Sequence, residues 1–451
     1  MSWSENTLQP GWGTPRRTAV NVELREGGEW STMACNDELG LLCRLAVIAD
    51  RGAAVGAPEH TPNDELLGRS MRALLQARHQ HDPSGMLGVV DTVRLLLGAD
   101  AARVHVADYA LNALCVLSAT GPIDDAYLLE GTMAGRAFSS GEIVTTDTTW
   151  WVPLVDGTER LGVLELEFDD APHEQPQVLA DLSALLVLLV ISMRRYTDVW
   201  LRTRRALTMT PAAEAQWDLL PPLASASSEV AVSGILQPAY EIGGDSFDYA
   251  INPGQLDLAI VDAVGHGMSA VMMSTAVINS LRNTRRERRS LVDGYRQADQ
   301  LIVRHFGNSN YVTGQLASLD VATGVLTWIN AGHLLPLLVR NGTYAGELQC
   351  EPSMPMGLGG PVVQVAQETL QRGDRVLFHT DGITESVSPS GGRFGLDRLA
   401  DYLVRATLDG VPGAETVRRL SAAVGAHVVE GLNDDATMLL VEYHGTSAER
   451  T

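Results

Sequence analysis

Apolar residues recur at helical spacing from Leu66 through Leu67, Met71, Leu74 and Leu75, just after Asn63-Asp64, a pair suited to capping a helix start. This spacing predicts a helix there and a second over Met86 to Leu97. The period then changes: Arg103 to Ala107 and Ala113 to Ser118 read as strands, with Gly121-Pro122 as punctuation. Residues 131–144, GTMAGRAFSSGEIV, predict a short helix, a turn and a strand. Trp151 to Leu154 and Leu161 to Phe168 predict a hairpin, in whose second arm Leu164, Leu166 and Phe168 alternate with Glu165 and Glu167, which are expected to face solvent. A helix from Gln175 to Arg195 closes the series. Asp198 to about Leu220 keeps helical composition and stops at Pro221-Pro222. Joined to the preceding helix it predicts a connecting rod, paired with a twin from a second subunit, or else a helix packed on its own domain.

Beyond this point the apolar runs share a feature: most end at an acid beside small residues. Asp245 lies in EIGGDSFDYA, where Gly243-Gly244 allow close backbone approach. Asp262 follows the strand-like Leu256 to Val261 and precedes a Gly265-His266-Gly267 turn and a helix. Asp381 ends VLFHTDG, and Asp434 opens NDDATMLLVEY. One Asp at a strand end usually serves the turn. Four on separate strand ends can converge on one site, and hard carboxylate oxygens suit Mg²⁺ or Mn²⁺ rather than zinc. Two such ions roughly 4 Å apart can activate a bridging water for in-line attack on a phosphoryl group.

Composition narrows the partners. The 451 residues, 45% of them hydrophobic, can form two or three domains. A formal charge of −22 argues against nucleic acid and against an anionic membrane surface, since both need a positive field. All 33 basic residues are arginine, which we read as codon usage and assign no function. Cys35, Cys43, Cys115 and Cys350 show no CxxC pairing and read as reduced thiols of a cytoplasmic protein. The N-terminus has no basic stretch followed by an apolar run, so no secretory signal is expected, and the strongest apolar run, Leu185 to Ile191, is far below the roughly 20 residues of a membrane span. Residues 1–61 are Gly-, Pro-, Thr- and Ser-rich and are expected to form a loosely ordered extension, with a short helix possible at Leu41 to Ile48.

Two resemblances organise these observations. Residues 62–197, through the small-residue helix before its Gly turn and the hairpin WVPLV…RLGVLELEF, resemble a GAF sensor domain. That resemblance implies either a small-molecule pocket on the sheet or an empty dimerisation module. Residues 236–443 carry in order GGDSFDY, VDAVGHGMSAVMM, Tyr311-Val312-Thr313, TWINAGHLLPLLVR, Pro355-Met356-Gly357-Leu358, HTDGITES, RFGLDRL and NDDATMLLV. These blocks resemble the PPM family of metal-dependent Ser/Thr phosphatases, in the bacterial branch typified by stage II sporulation protein E. The expected fold is therefore α+β and multidomain: an extension (1–61), a GAF-like α/β sensor (62–197), a helical linker (198–228) and an α-β-β-α sandwich phosphatase (229–445).

The family resemblance implies roles. Asp262 matches the acid bridging two Mn²⁺ or Mg²⁺ ions, with the Ala263 carbonyl beside it. Asp381 and Asp434 match ligands of the second ion, and Asp245 an acid holding the site through metal or water. Asp262 and Asp381 are thus the residues expected to carry catalysis. Asp435 competes with Asp434 at a distance of one position. Gly244, His266, Gly382 and Asp435 are candidates for the surrounding shell, and Asp248 is expected to cap a local turn. The branch usually has Gly before the bridging acid and Val after it, where this chain has Val261 and Ala263; a backbone carbonyl serves equally from either. His266 is read as a second-shell group or as a local turn contact, His333 as a turn determinant, His379 as a strand residue; none is named as general acid. The basic run RNTRRERR at 282–289 reads as a solvated helix end or as an attractor of an acidic or phosphorylated partner. The resemblance implies a phosphorylated anti-anti-sigma-type regulator as substrate and a homodimer. The alternatives are a non-catalytic docking protein and, from the echo of GGDSF, a nucleotidyl cyclase.

Overall fold

The computed structural model describes residues 20–26, 29–35 and 68–446, apart from 77–84, 120–125, 170–175, 242, 429–431 and 433. Residues 1–66 and 67–451 form separate compact units. In the first, Val20–Glu26 and Glu29–Cys35 pair as an antiparallel hairpin, a feature the Gly- and Pro-rich composition did not suggest. The helix considered at Leu41 to Ile48 lies outside the described residues.

The second unit opens with residues 68–76, which are helical, and the helix Met86–Leu97, which ends at Gly98 in the left-handed region. A six-stranded antiparallel sheet follows, in the order Tyr127–Leu128, Ala113–Val116, Ala101–Ala107, Glu159–Glu167, Thr149–Asp156, Val144–Thr145. Cross-strand register places His105 opposite Val163, and Trp151 opposite Glu165, so these four side chains share one face. The helix Met133–Ser140 covers that face through Ala134, Ala137 and Phe138, which cluster with Trp151 and Val163. Pro176–Met193 and Met86–Leu97 pack against the same sheet.

The alternation reading of the second hairpin arm is corrected here. Glu165 is buried: His105 Nε2 lies 2.6 Å from it and the Tyr127 hydroxyl donates to it at 2.9 Å. Burial alone would raise the Glu165 pKa, but these hydrogen bonds and the Arg103 charge hold it below the usual glutamate range. Period-two alternation says which face a residue takes, and it marks solvent only when one face of a sheet is bare.

The connecting segment is not a single rod. Val199–Thr203 and Pro211–Leu219 are separate short helices. The second is started by Thr210, whose side chain accepts from Ala213 N, and by Pro211 in the first turn, so the Thr-Pro pair begins a helix rather than continuing one. The chain then enters the C-terminal domain directly as the edge strand Ala224–Ala226.

That domain holds two antiparallel sheets. One runs Thr343–Glu347, Leu337–Arg340, Arg375–His379, Ala436–Tyr443, Val230–Gln237, Ala224–Ala226; the other runs Asp245–Asn252, Gln255–Ala263, Val312–Asp320, Val325–Ala331, Ala366–Thr369. The central strands are apolar on both faces because both faces are covered. In Gln255–Ala263, Leu258 and Ile260 meet Phe378 and Leu439 of the other sheet in a shared core. Ala259, Val261 and Ala263 meet the helices Met268–Arg286 and Leu291–Phe306. In Ala436–Tyr443, Leu439 and Val441 face the shared core, while Met438 and Leu440 meet the helices Leu396–Leu408 and Gly413–His427.

The two domains of this unit share a seam. Glu415, in the first turn of Gly413–His427, accepts from Arg160 of the N-terminal domain at 2.7 Å and from Arg418 and Arg419 of its own helix. Arg418 also reaches Glu130 at 2.8 Å. Cys115 and Cys350 are free thiols. Among the described residues, no helix is long and apolar enough to cross a membrane.

Candidate metal centre

Strand register assembles the site. Asp245 opens its strand and stands opposite Asp262 at the end of the neighbouring strand. By alternation Asp245 falls on the face of Phe247 and Tyr249, and Asp262 on that of Leu258 and Ile260, so both carboxylates belong to the side facing the other sheet. From that other sheet, Asp381 follows the strand Arg375–His379 and Asp434 precedes Ala436–Tyr443, its direct neighbour. All four expected acids therefore lie at one end of the two stacked sheets.

Glycine makes the approach possible. A Cβ at Gly244 would lie 2.3 Å from the Ala263 carbonyl oxygen, and one at Gly382 would lie 1.9 Å from the Asp435 carbonyl oxygen. Any side chain at either place would force apart the strand ends that bring the acids together.

The two adjacent acids differ in their hydrogen bonds. The Asp435 carboxylate accepts from Gly243 N at 2.8 Å and Asp245 N at 3.0 Å, so it is engaged in holding the Gly243–Asp245 loop. The Asp434 carboxylate accepts only from the Asp435 amide, at 2.9 Å, among the described residues. Sequence reasoning missed Thr380, whose hydroxyl donates to Asp245 Oδ2 at 2.7 Å and accepts from Thr437 N at 3.0 Å. Its place next to Asp381 was the available signal.

The electrostatics describe an unbalanced charge. Burial, then Asp381, Asp434 and Asp435, push Asp262 up to about 7. Burial, then Asp262 and Asp435, raise Asp245. Burial, then Asp434 and Glu385, raise Asp381, and burial raises Asp435 to about 6 against the pull of its backbone donors. Clustered carboxylates of one sign favour a cation near them, and hard oxygen donors of this kind would fit Mg²⁺ or Mn²⁺. Among the described residues no three acidic, His or Cys side chains close on one point. Asp434 and Asp435 border an open cleft of about 540 Å³ whose walls also include Pro238, Gly243, His266 and Met268.

The remaining candidates divide. His266 is exposed on the cleft wall, and its ring makes no hydrogen bond among the described residues, so it does not pin the turn. The turn at His333 is held by the Asn330 side chain, whose Oδ1 accepts from the His333 amide at 2.7 Å, while the His333 ring meets Thr313. Burial lowers His333 to about 3 and His379 to about 4, so both are neutral. Asp248 does not cap a turn. It is buried within its strand and binds Arg282 at 2.8 Å and Arg285 at 2.9 Å. Two arginines of the basic run are thereby turned inward to tie the first helix to its sheet.

Two stacked antiparallel sheets, paired helices outside each and a carboxylate-lined cleft at one sheet end define a PPM-type phosphatase domain. Within that class the domain is of the stage II sporulation protein E (SpoIIE) family, whose model matches residues 252–444. The phosphoserine phosphatase RsbP of Bacillus subtilis (strain 168) is 23% identical over 182 residues, 39% of this chain and 44% of the relative. The chain thus spans less than half the length of that curated relative. Among solved structures, the RsbU and RsbW domains of Rv1364c from Mycobacterium tuberculosis match at 26% identity and TM-score 0.42, over 51% of this chain and 63% of that one. The SiaA-PP2C domain of Pseudomonas aeruginosa matches at 19% identity and TM-score 0.44, over 51% and 94%.

Proposed function

We propose that this protein is a metal-dependent protein serine/threonine phosphatase whose N-terminal domain, GAF-like in its element order, regulates the C-terminal one. The observation that carries this reading is the gathering of Asp245, Asp262, Asp381 and Asp434 at one sheet end, with no arginine among the residues lining the cleft beside Asp434. Two bound Mn²⁺ or Mg²⁺ ions would supply an activated water and neutralise charge on the phosphoryl group. The Asp262, Asp381 and Asp434 carboxylates, with the Ala263 carbonyl, are the donors that would hold them. Asp245 is oriented by Thr380, and Asp435 fixes the loop that presents Asp245. His266 places an imidazole, a side chain suited to proton transfer, on the cleft wall.

The cleft is open, as a phosphorylated loop on another protein requires. A phosphorylated regulator of the anti-anti-sigma type is the substrate we assign, on the similarity to a phosphoserine phosphatase and to the SpoIIE family. Hydrolysis of p-nitrophenyl phosphate and of phosphoserine peptides by the full chain, with Mn²⁺, Mg²⁺ or EDTA, tests the reading. Turnover that needs the metal and disappears in Asp262→Asn is expected. Metal binding without turnover on either substrate would overturn it in favour of a docking protein.

A further inference from the structure

The segment between the domains touches both of them and also forms part of the cleft. Arg204 stacks over the Tyr109 ring at 4.2 Å and lies 5.9 Å from the Trp217 ring, while its Nε donates to the Ala107 carbonyl at 3.0 Å. Trp217 Nε1 donates to the Ala239 carbonyl at 2.8 Å, and Gln237 Nε2 to the Ala110 carbonyl at 3.2 Å. Tyr240 holds the first turn of the segment at two points. Its carbonyl accepts from Thr210 N at 3.2 Å, and its hydroxyl accepts from Ala206 N at 3.2 Å.

The Tyr240 hydroxyl has one proton and two acceptors: the Arg204 carbonyl at 3.3 Å in the connecting segment and Asp108 Oδ2 at 3.4 Å in the N-terminal domain. Three residues later comes Gly243, and then Asp245, both held by Asp435. On the other side, Thr210, Pro211 and Ala212 face Asp434 and Asp435 across the cleft.

We propose that the 204–219 segment, gripped by Tyr109 and Tyr240, positions the Gly243–Asp245 loop and one cleft wall, so that the state of the N-terminal domain is felt at the carboxylates. Its consequence for turnover rests on the phosphatase reading; its structural content does not. Arg204 and Tyr240 are positioning residues, since neither touches the acids.

Hydrogen exchange followed by mass spectrometry on the full chain, with manganese titration by calorimetry and p-nitrophenyl phosphate kinetics, tests the coupling. Arg204→Met and Tyr109→Leu remove the stacked charge or its ring at similar bulk. Each is expected to speed exchange at 237–247 about tenfold and to weaken manganese binding severalfold, a range typical of coupling through packed side chains. Exchange in the strand 436–443 should stay unchanged, and Tyr109→Phe, which keeps the ring face, should behave as the wild type. Should either variant fail to fold, Tyr240→Phe removes only the hydroxyl and is expected to show a smaller change of the same kind. Wild-type exchange at 237–247 in well-folded variants overturns the coupling even if turnover stands. Faster exchange there upholds it even if the wild type hydrolyses nothing under any metal.

Discussion

Glu415 and Asp262 are both partly or wholly buried carboxylates of one domain, and their surroundings drive them in opposite directions. Around Glu415, burial favours the neutral acid, but hydrogen bonds from Arg418 and Arg160 outweigh it and hold the carboxyl at about 2. Around Asp262, burial and further carboxylates act together and push it up to about 7. One acid has its counter-charges built into the chain. The other has only neighbours of its own sign, which is costly for folding and useful for binding a cation. The contrast separates a joint from a site.

The largest effect should come from removing the satisfied acid. Glu415→Gln leaves Arg160 and Arg418 buried beside a neutral amide and is expected to cost about 3–5 kcal/mol in denaturant unfolding. A loss near zero would mean the seam is hydrated in solution. Asp262→Asn should act in reverse on stability. The metal-free protein gains stability because a repelled charge is gone, while turnover with Mn²⁺ falls more than about a hundredfold, beyond the usual effect of residues that only support metal ligands.

The pH dependence sharpens the same comparison. Asp262 rises from 3.8 to about 7 in the folded chain, so the stability it contributes is complete below 3.8 and is lost as pH rises through 7. Metal-free protein should therefore melt lower at pH 8 than at pH 5.5, by an amount on the order of 2 kcal/mol once partial exposure is discounted. Divalent cation should flatten the slope by competing with protons. Glu415 acts below this window: its contribution is present above 4.5 and is lost as pH falls through 2. Equal slopes with and without Mn²⁺ would place the bound metal elsewhere. The smallest effect is expected from Asp435→Asn, which keeps one acceptor for the loop amides. Manganese affinity by calorimetry should weaken about tenfold, as for other residues that orient ligands.

One Asp at a strand boundary usually serves its turn, so it was the recurrence of four acids at strand boundaries, and no single one of them, that pointed to a shared site. What could not be read was which carboxylates were already engaged. Asp434 and Asp435 differ in their hydrogen bonds through amides about 190 residues away, and Asp248 owes its burial to Arg282 and Arg285 on a helix that follows a separate strand. Glu165 was misplaced for the same reason: its partners His105 and Tyr127 arrive from other strands, and nothing local announces that the outward face is roofed. The break in the connecting helix, in contrast, was written locally, in Thr210-Pro211, and was outweighed by helical composition on both sides.

Gly382 has a consequence for reading other chains of this kind. Its missing side chain is what lets the strand end carrying Asp381 rest on the backbone of Asp435, 1.9 Å from where a methyl would sit. A descendant that kept every acid but replaced this glycine would retain the signature and lose the spacing. In judging whether a related gene still encodes a working catalyst, the residue after the aspartate is as informative as the aspartate itself.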